Sequence, residues 1–471
     1  MGLRRLLVVV GVGVAAWCAL AIPVRATYGA RVTADEPQYL LSALSLAEDL
    51  DLDISDERAE ERFRPFHEVD LPVQELPNED GRAVSPHDPL LPVVLAVPIA
   101  IGGWVGAKVA MAVMAGGLAA ALLWVAIRRF AVDQRVATVV VLAFAAASPL
   151  AMYGTQVYPE LPAALAVTAA LAALTGPLRR GGVVLLGVAV AALPWLSVKY
   201  TPVAAVLALL GLAAVWRRGD RRTGLALAGG LAVTGVAYLL VHQLVYGGWT
   251  VYASGDHFVG GELTVMGHDP DYLGRTRRLV GLMLDRAFGL AAWQPGWLLL
   301  VPGLALLARR RPPQWLVLVL PLAAGWATAT WVALTMHGWW WPGRQLVHVL
   351  PAAVLAMAWA ADRLKLVRRL AAAALVVGAA TYAFLVVEGW RRDLTLVVDF
   401  EQTANPLYRA WRAVLPDYRN VTATTWVLQA AWLAVGVLFV IQLLKERQPD
   451  ETGEARAGLG DRPVRGRVRV G

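Results

Sequence analysis

The segment Thr33-Ala34-Asp35-Glu36-Pro37-Gln38-Tyr39-Leu40 lies in a strongly acidic loop that follows the first apolar run of the chain. Residues 25–88 contain 16 of the 35 acidic residues and six Lys or Arg, a local net charge of −10. The rest of the chain carries +18, so the overall +8 averages two opposite regions. Such an asymmetry indicates a membrane topology and does not require a nucleic-acid partner.

The composition excludes a soluble domain. The 471 residues are 58% hydrophobic, and the mean hydropathy is +0.55. Soluble chains do not carry repeated apolar runs long enough to span a bilayer. We therefore predict an all-α polytopic membrane protein.

Apolar segments of about spanning length recur along the chain and predict a bundle of about twelve helices. The segments are 5–24, 104–127, 134–151, 159–177, 181–198, 200–216, 223–245, 294–308, 314–335, 345–361, 367–388 and 422–444. One transmembrane domain, residues 1–444, is therefore expected, followed by a disordered basic tail, 445–471.

Basic clusters predict the orientation of the chain. If the helices simply alternate, all clusters fall on one side, which the positive-inside rule assigns to the cytoplasm together with both termini. The clusters are Arg4-Arg5, Arg128-Arg129, Arg179-Arg180, Arg217-Arg218, Arg309-Arg310-Arg311, residues 363–369 and the tail. The long loops 25–103, 246–293, 336–344 and 389–421 are then extracytoplasmic. The Ala-, Arg- and Val-rich composition is typical of high-GC bacteria, which favours a bacterial plasma membrane.

The first loop predicts short helices at the membrane surface. Pro37 suits the first turn of a helix, with Asp35 or Glu36 at its cap. Nearly continuous apolar residues from Tyr39 to Leu50 predict a helix on the outer leaflet. Because of its prolines, the segment 89–102 is expected to be a second surface or re-entrant piece.

Four motifs in order resemble the GT-C superfamily of integral-membrane glycosyltransferases. The first is the segment from Thr33 to Leu40, which is similar to the first outer loop of the branch containing protein O-mannosyltransferases and the lipid A aminoarabinose transferase. The others are Thr155-Gln156-Val157-Tyr158-Pro159-Glu160-Leu161-Pro162, Leu284-Asp285-Arg286-Ala287-Phe288-Gly289-Leu290 and Trp341-Pro342-Gly343-Arg344. The resemblance implies a GT-C-type helix bundle with juxtamembrane helices in the first loop.

The resemblance also implies an activity at the outer face. A monosaccharide would pass, with inversion, from a polyprenyl-phosphate donor to a hydroxyl of a cell-envelope glycan, lipid or protein. Asp35 matches the family's first-loop carboxylate and is the expected general base. Glu36 is the competing candidate, or a partner that orients Asp35 or binds a metal. Helix capping in a solvated acidic loop is the structural alternative for both.

Several further side chains are candidates for substrate binding. Glu160 is expected to face an aqueous cavity and to bind the acceptor or a metal ion there. The alternative is a carboxylate at the membrane interface that is exposed to water. Lys199, followed by Tyr200, and Lys108 are candidates to hold the donor phosphate, with snorkelling to headgroups as the alternative. Arg344 or Arg286 would grip the phosphate with paired donors.

Metal use and a different function class both stay open. His87-Asp88 and similar pairs do not amount to a metal signature, so no cofactor is assigned and a divalent cation is left open. The rival function is a transporter or flippase of a polar or lipid-linked substrate, with Lys108, Lys199 and Glu160 lining its path. Transporters commonly carry repeated broken helices, and the sequence shows no such pairing.

Overall fold

A computed structural model describes residues 1–78, 81–258 and 260–445. Helices, with isolated β-bridges, make up the secondary structure of these ranges. The α-helices are α1 Leu3–Ala19, α2 Glu36–Glu48, α3 Ser55–Ala59, α4 Leu90–Arg129, α5 Gln134–Ala145, α6 Leu150–Tyr153, α7 Glu160–Leu174, α8 Arg180–Leu196, α9 Thr201–Arg217, α10 Arg221–Val245, α11 Tyr272–Arg275, α12 Arg278–Leu284, α13 Leu290–Trp293, α14 Leu300–Arg310, α15 Trp315–Ala327, α16 Leu350–Arg363, α17 Lys365–Arg391, α18 Pro406–Arg412 and α19 Ala423–Lys445. Of the predicted tail only Lys445 is described, as the last residue of α19, and residues 446–471 lie outside the described ranges.

Each apolar segment of the sequence is mostly helical, and the predicted all-α class is confirmed. Among the described residues, seven helical stretches are long and apolar enough to cross a membrane, and three shorter apolar helices, α5, α7 and α8, accompany them. The predicted segment 134–151 is split because α5 ends at Ala145 and the chain turns at Ser148-Pro149 before α6. Proline removes a backbone donor and clashes with the preceding turn, which favours such an interruption.

Helix α16 forms the centre of the bundle. Every residue from Leu350 to Ala361 is buried, and α16 packs against α5, α14, α15 and α17. By contrast, α10 and α19 leave most of their apolar surface exposed, as expected for helices that face lipid.

Helix α1 crosses α4 at a pair of glycines. A Cβ added to Gly116 would lie 2.2 Å from the carbonyl oxygen of Gly11. Small residues at such a crossing let two membrane helices approach until their backbones touch.

The segment 89–102, expected to be a second surface or re-entrant piece, forms a helix distinct from the one that follows it, although the bounds of α4 include both. The helix is interrupted at Gly102 and Gly103, and Gly103 has φ +57°. Glycine adopts that conformation without a steric penalty, so the two residues divide α4 into two parts. Pro92 lies in the first turn, where a missing N–H is tolerated.

Helix α2 is more buried than the surface helix that the sequence predicts. It spans Glu36–Glu48, and most of its residues up to Ser45 are buried against α4. Asp35 lies at the cap position, yet its side chain caps no backbone N–H. The Asp35 carboxylate is therefore available for other partners.

Four long loops contact one another at one end of the bundle. Leu396 N donates to Arg25 O at 3.0 Å, and Leu76 N donates to Ser254 O at 2.7 Å. Tyr418 N donates to Asp285 Oδ2 at 3.0 Å, so the second and fourth loops also meet. The residues singled out in the sequence motifs are brought together at this end.

Candidate active site

Arg344 is the centre of a buried ion-pair cluster. Its Nη2 donates to Asp35 Oδ2 at 2.5 Å, and its Nε donates to Glu160 Oε1 at 2.8 Å. Lys199 Nζ donates to the same Glu160 oxygen at 2.6 Å. The cluster therefore holds two cations and two carboxylates, which balances charge in a region where an unpaired ion would be costly.

Each member of the cluster comes from the start or end of a different helix. Asp35 precedes α2, and Glu160 is the first residue of α7. Lys199 lies in the 3₁₀ turn Val198–Tyr200 between α8 and α9. Arg344 begins a 3₁₀ segment that leads into α16, directly after Gly343, whose φ of +88° favours glycine.

The cluster is partly open to solvent. The side chains of Asp35 and Lys199 are each 26% exposed, whereas that of Glu160 is fully buried and that of Arg344 is 7% exposed. A ligand arriving from outside would therefore meet one carboxylate and one ammonium first.

The electrostatics of the cluster keep Asp35 ionised. Burial by itself would raise the pKa of Asp35, but the Arg344 guanidinium and the His87 ring hold that pKa well below its ordinary value. His87 Nε2 lies 3.8 Å from Asp35 Oδ2. A carboxylate with so low a pKa is a weak base as long as Arg344 remains bound to it.

Aromatic rings surround the cations. The Arg344 guanidinium lies 4.1 Å from the ring centroid of Tyr158 and 4.9 Å from that of Trp340. Lys199 Nζ lies 5.3 Å from the Tyr200 ring, which packs 4.6 Å from the ring of His348. Flat rings beside cations suit a ligand with both a sugar face and an anionic group.

Several buried polar atoms at this end have no hydrogen-bond partner among the described residues. They include Glu160 Oε2, the Tyr200 hydroxyl and both ring nitrogens of His348. Gln38 and Gln156 also carry unpartnered side-chain atoms. Because buried polar groups are normally hydrogen-bonded, such a concentration indicates a place where a polar ligand or water binds.

Asp88 fixes the segment that carries His87. It accepts hydrogen bonds from the Tyr238 hydroxyl at 2.9 Å, His242 Nε2 at 3.0 Å and Val198 N at 2.9 Å. Val198 directly precedes Lys199, so Asp88 ties the first loop to the turn that supplies the ammonium.

The side chains of Glu36 and Lys108 form hydrogen bonds with backbone groups and do not belong to the ion-pair cluster. Glu36 is buried and accepts from Thr33 N at 3.1 Å and from Val157 N at 2.7 Å. Lys108 is also buried, and its Nζ donates to Arg31 O at 2.9 Å. The structure thus places Glu36 as a link between the first loop and the turn before α7, and Lys108 as a contact of the first-loop backbone.

Arg286 lies with a different partner. Its guanidinium pairs with Asp417 at 2.6 Å, and no contact among the described residues joins it to Arg344. Of the two arginines that were candidates for gripping a phosphate, only Arg344 lies with Asp35 and Glu160.

Sequence reasoning missed several residues of this site. Tyr158 and Trp340 stand inside or beside the quoted motifs, so their position next to Arg344 could have been suspected. His348 follows Arg344 by four residues, about one helical turn, and that spacing is its only sequence signal. The three consecutive tryptophans at positions 339–341 have different environments. Trp339 is exposed, the Trp340 ring lies against the Arg344 guanidinium, and Trp341 is buried in the core.

Among the described residues, the acidic members of the cluster do not belong to a group of three or more potential metal ligands. Asp35 and Glu160 each have one oxygen paired with a cationic side chain. An apolar groove of about 760 Å³ shares no lining residue with the cluster. It lies between α14, α15, α17 and α19.

The structure of the chain, but not its sequence, resembles that of a known protein. No family model and no curated protein matches the chain. Among solved structures, the chain resembles ArnT from Cupriavidus metallidurans, crystallised with bound undecaprenyl phosphate. The likeness covers 93% of this chain and 72% of ArnT, with a TM-score of 0.53 and 17% identity. It confirms the GT-C-type fold that the sequence motifs implied.

Proposed function

We propose that the chain is a GT-C-type glycosyltransferase that moves a monosaccharide from a polyprenyl-phosphate donor to an acceptor hydroxyl at the extracytoplasmic face. The observation that carries the proposal is the cluster of Asp35, Arg344, Glu160 and Lys199 in a fold shared with a protein that binds undecaprenyl phosphate. The acceptor would belong to the cell envelope, as a glycan, a lipid or a protein.

The cations suit the donor's phosphate. Arg344 presents a fork of N–H donors, and Lys199 is a partly exposed ammonium that shares the Glu160 oxygen with it. A phosphate that enters beside Lys199 would compete with Asp35 for the guanidinium. Charge-assisted bonds to phosphate would then stabilise the negative charge that develops on the leaving group.

The same exchange would activate Asp35. Once Arg344 turns to the phosphate, the pKa of Asp35 returns toward its ordinary range and the carboxylate becomes a better proton acceptor. Asp35 would take the proton of the acceptor hydroxyl as the new C–O bond forms. The bond between the anomeric carbon and the phosphate oxygen breaks in that step, and polyprenyl phosphate leaves with inversion.

Glu36 is assigned a supporting role in this scheme. Its two oxygens bind backbone N–H groups of the first loop and of the turn before α7, so it fixes Asp35 relative to Glu160. His87 and Tyr200 would contact the sugar or acceptor from the sides of the cluster. The proposal routes no step through a metal ion.

Transfer of radiolabelled sugar from polyprenyl-phosphate donors tests the proposal in membranes carrying the full chain. We expect Asp35→Asn to lower the rate roughly 100- to 10,000-fold, the usual contribution of a general base. Asp70→Asn is the matched control, because Asp70 is in the same loop and its side chain is 98% exposed. Equal rates for Asp35→Asn and the intact chain would remove Asp35 as the base. No transfer with any donor would favour the transporter or flippase.

A further inference from the structure

Three acidic side chains form a second cluster in the first loop. Asp49 is the last capping residue of α2, and Asp56 and Glu57 lie in the first turn of α3. Oxygens of the three carboxylates lie within 4.8 Å of one another. Asp49 and Asp56 are exposed, whereas Glu57 is only 2% exposed.

Glu57 is the unusual member of this cluster. Both of its carboxylate oxygens are buried and have no hydrogen-bond partner among the described residues. A buried carboxylate without a partner destabilises the fold unless its charge is neutralised by a proton or a bound cation. Other acids of the loop avoid this cost: Asp51 accepts from Ser45, and Asp53 accepts from Ala83 N.

Two arginines in the same part of the loop, Arg58 and Arg62, form ion pairs with other carboxylates. Arg62 binds Glu48 through two hydrogen bonds of 2.6 and 2.7 Å. Arg58 pairs with Glu75 and donates to Pro72 O at 3.0 Å. Neither guanidinium forms a hydrogen bond or an ion pair with the Glu57 carboxylate, and Arg62 acts on it only through its charge at a greater distance.

We propose that Asp49, Asp56 and Glu57 bind a hard divalent cation, Ca²⁺ in preference to Mg²⁺. All donors are carboxylate oxygens, which Ca²⁺ and Mg²⁺ prefer, and no His or Cys belongs to the cluster. Ca²⁺ tolerates irregular geometry and takes its remaining ligands from water, which suits two exposed loop carboxylates.

The cation would fasten one end of α2. Asp49 follows the C-terminal end of that helix, and Asp35 precedes its N-terminal end. Thirteen residues of α-helix separate the two sites by about 20 Å. By joining α2 to α3, the cation would stabilise the loop that presents Asp35 without touching the ion-pair cluster.

Direct binding to the full-length protein, stripped with a chelator, tests this site. We expect one Ca²⁺ per chain, measured by calorimetry or ⁴⁵Ca²⁺ binding, and weaker binding of Mg²⁺ alone. We expect Glu57→Gln to weaken Ca²⁺ binding at least about tenfold, since it removes the buried ligand charge. Glu60→Gln removes a charge three residues away and is expected to bind as the intact chain does. Binding that is equal in the Glu57→Gln variant, or absent from the intact chain at about 1 mM, the weak end of known Ca²⁺ sites, overturns the proposal.

Thermal unfolding provides a second readout. We expect Ca²⁺ to raise the Tm of the intact chain and of Glu60→Gln, and to leave the Tm of Glu57→Gln unchanged. If Glu57→Gln does not fold, Asp56→Asn, an exposed substitution, is expected to lose the same response. A Tm rise of equal size in either of these variants would show that the cation binds elsewhere.

Discussion

Arg344 connects parts of the chain that are far apart in sequence. Its guanidinium binds Asp35, 309 positions away, and Glu160, 184 positions away. A lysine would offer one compact ammonium in place of the planar fork, which presents separate N–H groups to the two carboxylates in fixed directions. Under the proposed function, a donor phosphate that binds the Arg344 guanidinium would displace Asp35 from it.

The pairing of Asp35 predicts a pH dependence of stability. Because Arg344 lowers the pKa of Asp35 in the folded protein, the contribution of Asp35 is fully present above its unfolded pKa of about 4 and is lost as pH falls through the folded value. We expect Asp35→Asn to destabilise the protein by roughly 1–3 kcal/mol, between exposed and buried ion pairs. Thermal unfolding in detergent at a series of pH values measures the difference.

The Tm difference between the intact chain and Asp35→Asn should be constant from about pH 5 to pH 8 and should shrink below about pH 4. Asp70→Asn, at an exposed position, is expected to show no such pattern. A difference that instead grew as the pH fell would contradict the lowered pKa.

At the scale of elements, the close approach of α1 and α4 depends on the absence of a side chain at Gly116. An alanine at position 116 would bring its Cβ within 2.2 Å of Gly11 O and within 3.0 Å of the Ala15 Cβ. Both neighbours belong to α1, and backbone cannot move aside as a flexible side chain can. We expect Gly116→Ala to destabilise the protein by roughly 1–3 kcal/mol, the usual cost of overpacking, measured as a lower Tm.

Gly117 supplies the matched control. It is in the same helix, and a Cβ added there would meet nothing within 4 Å. Gly117→Ala is therefore expected to be neutral or slightly stabilising, since alanine is the better helix former. Equal losses from both substitutions would mean that the crossing is not as close as described.

The helices themselves were predictable from sequence, because apolar length alone determines which segments are inserted. Their exact ends were not. The segment 134–151 is interrupted at Ser148-Pro149, and α4 is divided at Gly102 and Gly103, because local backbone geometry decides these boundaries. The burial of α2 also depends on contacts with α4, which no pattern within α2 reveals.

At the scale of the whole molecule, the sequence identified members of the site without their pairing. Asp35, Glu160, Lys199 and Arg344 were each singled out, with Arg286 beside them. Which arginine meets Asp35 depends on how the loops pack, and Arg286 instead pairs with Asp417. Residue type and spacing do not determine contacts between positions hundreds of residues apart. These ion-pair partners can therefore be identified only from the folded structure.

The predicted orientation of the whole bundle can be tested with single cysteines. Cys18 is buried and is the only cysteine, so Cys18→Ala provides a background without thiols. Asp70 is in the first long loop, at the end of the bundle where the ion-pair cluster lies. Arg222 is in the first turn of α10, and the opposite end of α10 leads into the second long loop, which contacts the first. Both positions are exposed, so a new thiol at either should react once a reagent reaches it.

With both termini in the cytoplasm, a membrane-impermeant thiol reagent added to intact cells should label Asp70→Cys and not Arg222→Cys. Opening the cells should then allow Arg222→Cys to react. The reverse pattern would place the ion-pair cluster in the cytoplasm, where the basic ends of the helices are expected. A donor headgroup at the outer face could not reach Asp35 in that orientation, so this one measurement constrains the topology and the proposed chemistry together.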